Sequence, residues 1–184
     1  LEGGYRSRAE LARAYAEVLA EEVADLSDAG AELVQVDEPF LLRRPEDVAV
    51  VRETFGLLAR RRGAARLACY TYFGDAVPLY DALQTLPVDV LGLDFTYSPG
   101  LARRVAESGS DKTLALGLFD GRNTKLETAE TVFPALDRVM SRLRGDGYVN
   151  PSCGLEYLPR ARARAKLDTM VSLVRSWEGR RRAA

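Results

Sequence analysis

Two adjacent carboxylates, Asp37 and Glu38, end the run Glu32-Leu-Val-Gln-Val-Asp-Glu-Pro-Phe-Leu41. Leu33, Val34 and Val36 read as a buried strand. Pro39 donates no backbone hydrogen bond and restricts the residue before it, so that strand should stop at the acidic pair. Charged side chains are seldom fully buried without a partner, so such a pair is either a helix cap or part of a site. Pro39-Phe40-Leu41-Leu42 does not open an amphipathic helix, and ligands of parallel α/β folds bind at the carboxyl ends of strands. The site reading is preferred. The other residues with distinctive chemistry are two cysteines, Cys69 and Cys153. Both could ligate a soft divalent metal such as Zn²⁺, with an oxygen ligand from Asp94 or Glu156. The cysteines lie far apart and form no CxxC. Cys69 suits a small core residue, and Cys153, in the loop Pro151-Ser-Cys-Gly154, is the better ligand candidate.

The chain has 184 residues, 47% hydrophobic and 29% charged, with a formal net charge of −1. That is one ordinary globular domain, expected over residues 1–184, with no whole-chain charge to suggest nucleic acid or a membrane as partner. No apolar run approaches a membrane span and no signal peptide is visible, so a cytoplasmic location is expected. Histidine is absent, which excludes every Ser-His, Cys-His and His-metal scheme within this chain. Two cysteines in a cytosolic setting are free thiols or metal ligands rather than a disulfide. Arg180-Arg181-Arg182 is expected to be a solvated, frayed end.

Helices and strands alternate. Leu11, Tyr15, Val18, Leu19, Val23 and Leu26 fall at helical spacing between Ser7 and about Ala29, with Ser7 and Glu10 as a capping-box pair and Gly30 as the stop. The strand at Leu33 to Val36 follows. Further helices are predicted from Pro45 to about Arg62, Asp75 to Leu86, Pro99 to Ser108, Glu127 to Leu143 (bent near Pro134) and Arg160 to Trp177. Further strands are predicted from Arg66 to Tyr72, Val88 to Asp94, Thr113 to Leu118 and Tyr148 to Asn150. Five strands in βαβ alternation mean a parallel sheet.

The carboxyl ends of these strands gather polar residues: Asp37 and Glu38; Cys69, Tyr70, Tyr72 and Asp75; Asp94, Tyr97 and Ser98; Asp120, Arg122 and Asn123; Asn150, Ser152, Cys153 and Glu156. An active face assembled from several βα loops has this pattern. Helix capping accounts for Asp75 and Ser98. It does not account for Asp37-Glu38, for Cys153 or for the Gly121-Arg122-Asn123 turn.

Four motifs together resemble the cobalamin-independent methionine synthases and their shorter archaeal-type relatives. They are Val34-Gln-Val-Asp-Glu-Pro39, Cys69-Tyr-Thr-Tyr-Phe-Gly-Asp75, Leu116-Gly-Leu-Phe-Asp-Gly-Arg-Asn-Thr-Lys-Leu-Glu127 and Asn150-Pro-Ser-Cys-Gly-Leu-Glu156, in this order. The resemblance implies a (βα)₈ barrel of the TIM type and methyl transfer from a methylfolate-type donor to the thiol of homocysteine, in methionine biosynthesis. It implies a Zn²⁺ ion that holds the thiol as thiolate, with Cys153 and Cys69 as ligands. It also implies that Asp37, with Glu38, contacts the amino acid.

The chain departs from the family pattern at Leu67, which stands where the zinc-binding histidine is expected, and at Asp94, which stands for a glutamate ligand. Tyr72-Phe-Gly-Asp75, Leu93-Asp94 and the Asp120-Gly-Arg-Asn123 turn look closer to the family's non-catalytic amino-terminal barrel. Only the equivalents of the last five strands are found. A five-stranded piece exposes sheet edges that a closed barrel removes, so the chain is expected to be truncated or to pair with a second polypeptide.

These readings lead to a methyltransferase of partial-barrel fold. Asp37 and Glu38 would hold an amino group, Cys153 with Cys69 and Asp94 would lie at a metal position, and Arg122 with Asn123 would bind an anionic or folate-like ligand. The alternative is a non-catalytic folate- or substrate-binding scaffold that needs a separate catalytic partner. A metal-free lyase or decarboxylase ranks last.

Overall fold

The computed structural model describes residues 4–143 and 145–183. In chain order it contains α1 (Arg8–Asp28), β1 (Leu33–Asp37), α2 (Val48–Arg61), β2 (Arg66–Thr71), α3 (Tyr80–Gln84), β3 (Val90–Asp94), α4 (Leu101–Ser108), β4 (Thr113–Phe119), α5 (Ala129–Met140), β5 (Tyr148–Pro151) and α6 (Arg160–Ala183). The Ser7 hydroxyl caps α1 by accepting from Glu10 N–H at 3.1 Å, and the Glu10 carboxylate accepts from Arg6 N–H at 2.7 Å. Thr128 and Thr131 cap α5 reciprocally, and Pro134 lies inside that helix without splitting it.

Two elements differ most from their sequence expectation, and α5 and β3 are shorter by a few residues. The helix predicted from Asp75 shortens to a 3₁₀ turn at Val77–Leu79 followed by α3. Asp75 Oδ1 accepts from Val77 N–H at 3.0 Å, a local turn that competes with helix there. The carboxyl-terminal helix runs on past Trp177 to Ala183. Arg180 bonds both oxygens of Asp137 on α5, at 2.8 and 2.7 Å, and the Arg181 guanidinium lies 4.9 Å from the Trp177 ring. The arginine run is therefore solvated, as expected, but helical rather than frayed, and Arg180 bridges α6 to α5.

The strands pair in the order β1-β2-β3-β4-β5, all parallel. An order that never reverses is that of a barrel, not of a doubly wound sheet. The packing agrees. One sheet face carries Val34, Leu67, Cys69, Leu91, Leu93, Leu114 and Leu116 into a large core with the helices. The other face holds a small cluster of Ala68, Val90 and Ala115, with Leu33 and Tyr70 against it. The result is a parallel α/β half-barrel with its helices outside and a narrow inner face. β1 and β5 are its edges among the described residues. No helix among the described residues is long and apolar enough to cross a membrane.

The inner face leaves little room beside β4. A Cβ on Gly117 would lie 2.8 Å from Leu93 O and 2.9 Å from Ser152 Cα, both backbone atoms that cannot swing aside. Gly117→Ala should therefore lower unfolding stability by about 2 kcal/mol, as overpacking does, measured by urea denaturation. An unchanged midpoint would show that the β4–β5 junction is slack.

Candidate functional site

Strand side chains alternate between faces, so the register decides which polar residues can meet. One row across the inner face runs Asp37–Tyr70–Gly92–Ala115–Tyr148, and the row above it runs Asp94–Gly117–Asn150. Asp37 accepts from Gln35 Nε2 at 2.7 Å and from the Tyr72 hydroxyl at 3.0 Å. Asp37, Tyr70, Tyr72, Asn150, Cys153 and Leu167 line a cavity of about 310 Å³. Asn150 Oδ1 is buried beside this cavity without a hydrogen-bond donor among the described residues. The cavity therefore offers a carboxylate, an unpaired amide oxygen and a thiol. Two oxygen acceptors with a negative charge suit an ammonium group.

A second cluster fixes the rim. Asp94 is fully buried. Its Oδ1 accepts from Thr96 N–H at 2.9 Å, Thr96 Oγ1 at 2.6 Å and Tyr97 N–H at 3.1 Å. Its Oδ2 faces Arg122 Nη1 at 3.2 Å. The same guanidinium donates from Nε to Asp120 Oδ1 at 2.8 Å and from Nη2 to Thr96 Oγ1 at 2.5 Å. It also lies 3.6 Å from the centre of the Tyr97 ring, with Phe73 at 5.9 Å. Asp120 completes the turn by accepting from Arg122 N–H at 3.0 Å and Asn123 Nδ2 at 2.6 Å. Burial alone would raise the Asp120 carboxyl. The hydrogen bonds from Arg122, with the charges of Arg122 and Lys166, outweigh burial and hold it below the usual range.

Phe73 has φ +64, a conformation uncommon for a side chain of this size. Backbone strain of that kind concentrates at functional sites. Here it lies in the loop that brings Tyr72 to Asp37 and Phe73 to Arg122, the two rings meeting edge to face at 4.7 Å.

Alternation also separates residues that are neighbours in sequence. Glu38 follows Asp37 and therefore turns outward, into a crevice with Arg8, Phe40, Arg44 and Asp47. Burial raises its carboxyl, opposed by hydrogen bonds from Leu41 and Phe40 N–H. Cys69 shares its row with Val36, Leu91 and Leu114, faces the helices and has no exposed surface. Its burial pushes the thiol far up. Cys153 stands at the inner cavity, half-buried. Burial raises its thiol, against the lowering effects of a Ser152 hydrogen bond and the Arg122 charge. The two cysteines do not meet. Asn123 bonds Asp120 and also lines a separate groove of about 410 Å³ toward α4 and α5. Ser98 is buried and does not cap α4, whose N-cap is Gly100; it accepts from Ala76 N–H and donates to Gly74 O, tying the loop after β3 to the loop after β2.

The donors implied for zinc do not make a site here. Cys69 points to the outer core, Leu67 has no donor atom, and Asp94 is already engaged by Thr96, Tyr97 and Arg122. Among the described residues, no three His, Cys, Asp or Glu groups converge where an ion could sit. Cys153 is the one implied ligand that lines the cavity.

Sequence reasoning did not single out Gln35, Phe73, Glu127 or Lys166. Counting back two residues from Asp37 would have found Gln35. No local pattern marks Lys166, which lies between Ala165 and Leu167 in a helix rich in arginine.

Burial, together with the charge of Asp37 and its hydrogen bond, pushes the Tyr72 hydroxyl up to about 12 from its ordinary 10. The protonated phenol is the form that the fold favours, so its contribution to stability is complete below pH 10 and is lost as pH rises toward about 12. Subtracting the phenolate absorbance titration of Tyr72→Phe from that of the parent should isolate a transition near the upper value. The same subtraction in an Asp37→Asn background should shift it downward. A Tyr72 transition at the ordinary tyrosine position would disprove the Asp37 contact.

Residues 3–176 match the family profile described as "Cobalamin-independent synthase, Catalytic domain". The matching profile is that of the catalytic domain, and nothing in the match sets the chain nearer to the amino-terminal barrel. The chain is 29% identical over 170 residues to a methionine synthase of Saccharolobus solfataricus, covering 91% of this chain and 51% of that protein. It is 35% identical over 144 residues to a 5-methyltetrahydropteroyltriglutamate–homocysteine methyltransferase of Bacillus anthracis, covering 74% of this chain and 19% of that protein. A solved structure of a B12-independent methionine synthase from a Shewanella species, in complex with selenomethionine, superposes with a TM-score of 0.79 at 23% identity. That superposition covers 98% of this chain and 58% of the other. The chain thus spans about half the length of the Saccharolobus relative and about a fifth of the Bacillus one.

Proposed function

Because the chain belongs to the cobalamin-independent methionine synthase catalytic-domain family, we propose that it serves methyl transfer from a methylfolate-type donor to the thiol of homocysteine. The observation that carries this reading is the inner cavity, where Asp37, the unpaired Asn150 Oδ1 and Cys153 share one wall system. An α-amino acid with a sulfur-bearing side chain matches that set. Its ammonium would be taken by Asp37 and Asn150 Oδ1, with Gln35 and Tyr72 fixing the Asp37 carboxylate for it. The selenomethionine in the Shewanella relative is a ligand of the same chemical class. In the transfer, the homocysteine sulfur loses its proton and bonds the methyl carbon as the carbon–nitrogen bond of the donor breaks, and that nitrogen gains a proton.

Arg122 and Asn123 would face the anionic or folate-like part of the donor, with Asp94 and Asp120 keeping the guanidinium in place. Glu38 would act only indirectly, from the outer side of β1. The donor set gives no ground for routing a step through zinc. A metal held by Cys153 would need further donors from outside the described residues. The order of the motifs supports reading the single domain as the last five βα units of an eight-unit barrel. The open edges of β1 and β5 would then be covered by three more units, whether on the same polypeptide or a second one.

Calorimetric titration with L-methionine tests the reading. The chain should bind it, and Asp37→Asn should weaken binding roughly tenfold or more, the cost of losing one hydrogen bond to a charged group. No binding by the parent chain would overturn the reading, and equal binding by Asp37→Asn would overturn the role of Asp37.

A further inference from the structure

Lys166 is 1% exposed, an unusual state for a lysine. Its ammonium donates to both carboxylate oxygens of Glu127, each at 2.9 Å, and to Lys125 O at 2.5 Å. Glu127 Oε1 in turn accepts from Asp120 N–H at 2.8 Å. Asp120 then holds Arg122 through both its backbone N–H and its Nε. A chain of contacts therefore leads from the first third of α6 to the guanidinium at the rim. Replacing a buried ion pair with apolar residues often leaves stability unchanged or raises it, so the pair contributes little to stability as such. What it does supply is geometry. It ties the β4–α5 loop, residues 120–128, to a helix whose next residue, Leu167, lines the inner cavity.

We propose that Lys166, acting through Glu127, is a positioning residue for Arg122. It sets the β4–α5 loop at the height at which Asp120 aims the guanidinium between Asp94 and Tyr97. Its effect on ligand binding rests on the methyl-transfer reading above, in which Arg122 faces the donor; its effect on Arg122 itself does not.

Two signals in proton–nitrogen NMR spectra of the full chain separate positioning from general support. The Arg122 Nε–H reports the rim. The indole N–H of Trp177, on the same helix and bonded to Asp137 at 2.7 Å, reports the packing of α6. Lys166→Met should speed solvent exchange of Arg122 Nε–H roughly tenfold, the loss of about one charge-assisted hydrogen bond, and leave Trp177 unchanged. That variant leaves Glu127 buried without its partner. Where it does not fold, Lys166→Met with Glu127→Gln carries the test, since glutamine keeps an acceptor for Asp120 N–H without the clamp to α6. The same selective loss is expected there. Unchanged Arg122 exchange in a folded variant would overturn the proposal, and so would equal loosening of Arg122 and Trp177. In parallel, a titration with 5-methyltetrahydrofolate should show weaker binding by the variant than by the parent. Absence of binding by the parent would count against the methyl-transfer reading alone, because the exchange result stands without it.

Discussion

A carboxylate with no exposed surface cannot stay charged without donors, and that requirement at Asp94 organises the rim of the half-barrel. β3 delivers Asp94 onto the inner face in register with Gly117. The loop after β3 folds back so that Thr96 and Tyr97 supply backbone and hydroxyl donors. The loop after β4 supplies the positive charge, Arg122, which Tyr97 covers on one face. Removing one partner of such a buried pair costs far more than the pair contributes, because the other charge is left unmatched. Two loops distant in sequence are thereby held against each other, and Phe73 brings a third to the same guanidinium.

The second constraint is alternation along strands. It sends Asp37 inward and Glu38 outward, although they are adjacent. It puts Tyr70 inside and Cys69 outside in the same way. The chemistry of the inner cavity follows from this sorting. One carboxylate, one unpaired amide oxygen and one thiol line the same space, while the second carboxylate lies half-buried in the crevice outside β1 and the second thiol is buried in the outer core. The outer positions are not free to become ligands. Moving Cys69 inward would need a one-residue slip of β2, which would turn Leu67 and Leu93's neighbour Thr71 to the lumen as well.

Much of this was legible in the sequence. Runs such as Leu33 to Val36 and Thr113 to Leu118, separated by helical spacing, give the parallel order directly, and Pro39 marks the end of β1. The gathering of polar residues at strand ends located Asp37, Asp94, Arg122 and Cys153 at one rim region. The sides on which Glu38 and Cys69 fall could have been read by counting alternate residues. A motif that names both members of a pair hides that count. The Lys166–Glu127 contact was not legible, since it joins residues 39 apart with no shared pattern. The stacking of Arg122 on Tyr97 was likewise invisible, because it depends on how two loops approach one another. The absent zinc donors were half visible, at Leu67, and half hidden in the burial of Cys69 and the prior engagement of Asp94.

The interdependence of Asp94 and Arg122 is open to direct measurement by a double-mutant cycle in chemical denaturation, using Asp94→Asn, Arg122→Met and the two together. A rim organised by this pair predicts a coupling energy of about 2 kcal/mol, because Arg122→Met leaves the buried Asp94 without its cation, a penalty that the double variant does not incur. Additivity to within about 0.5 kcal/mol would contradict it, and would mean that the loops after β3 and β4 find their places independently.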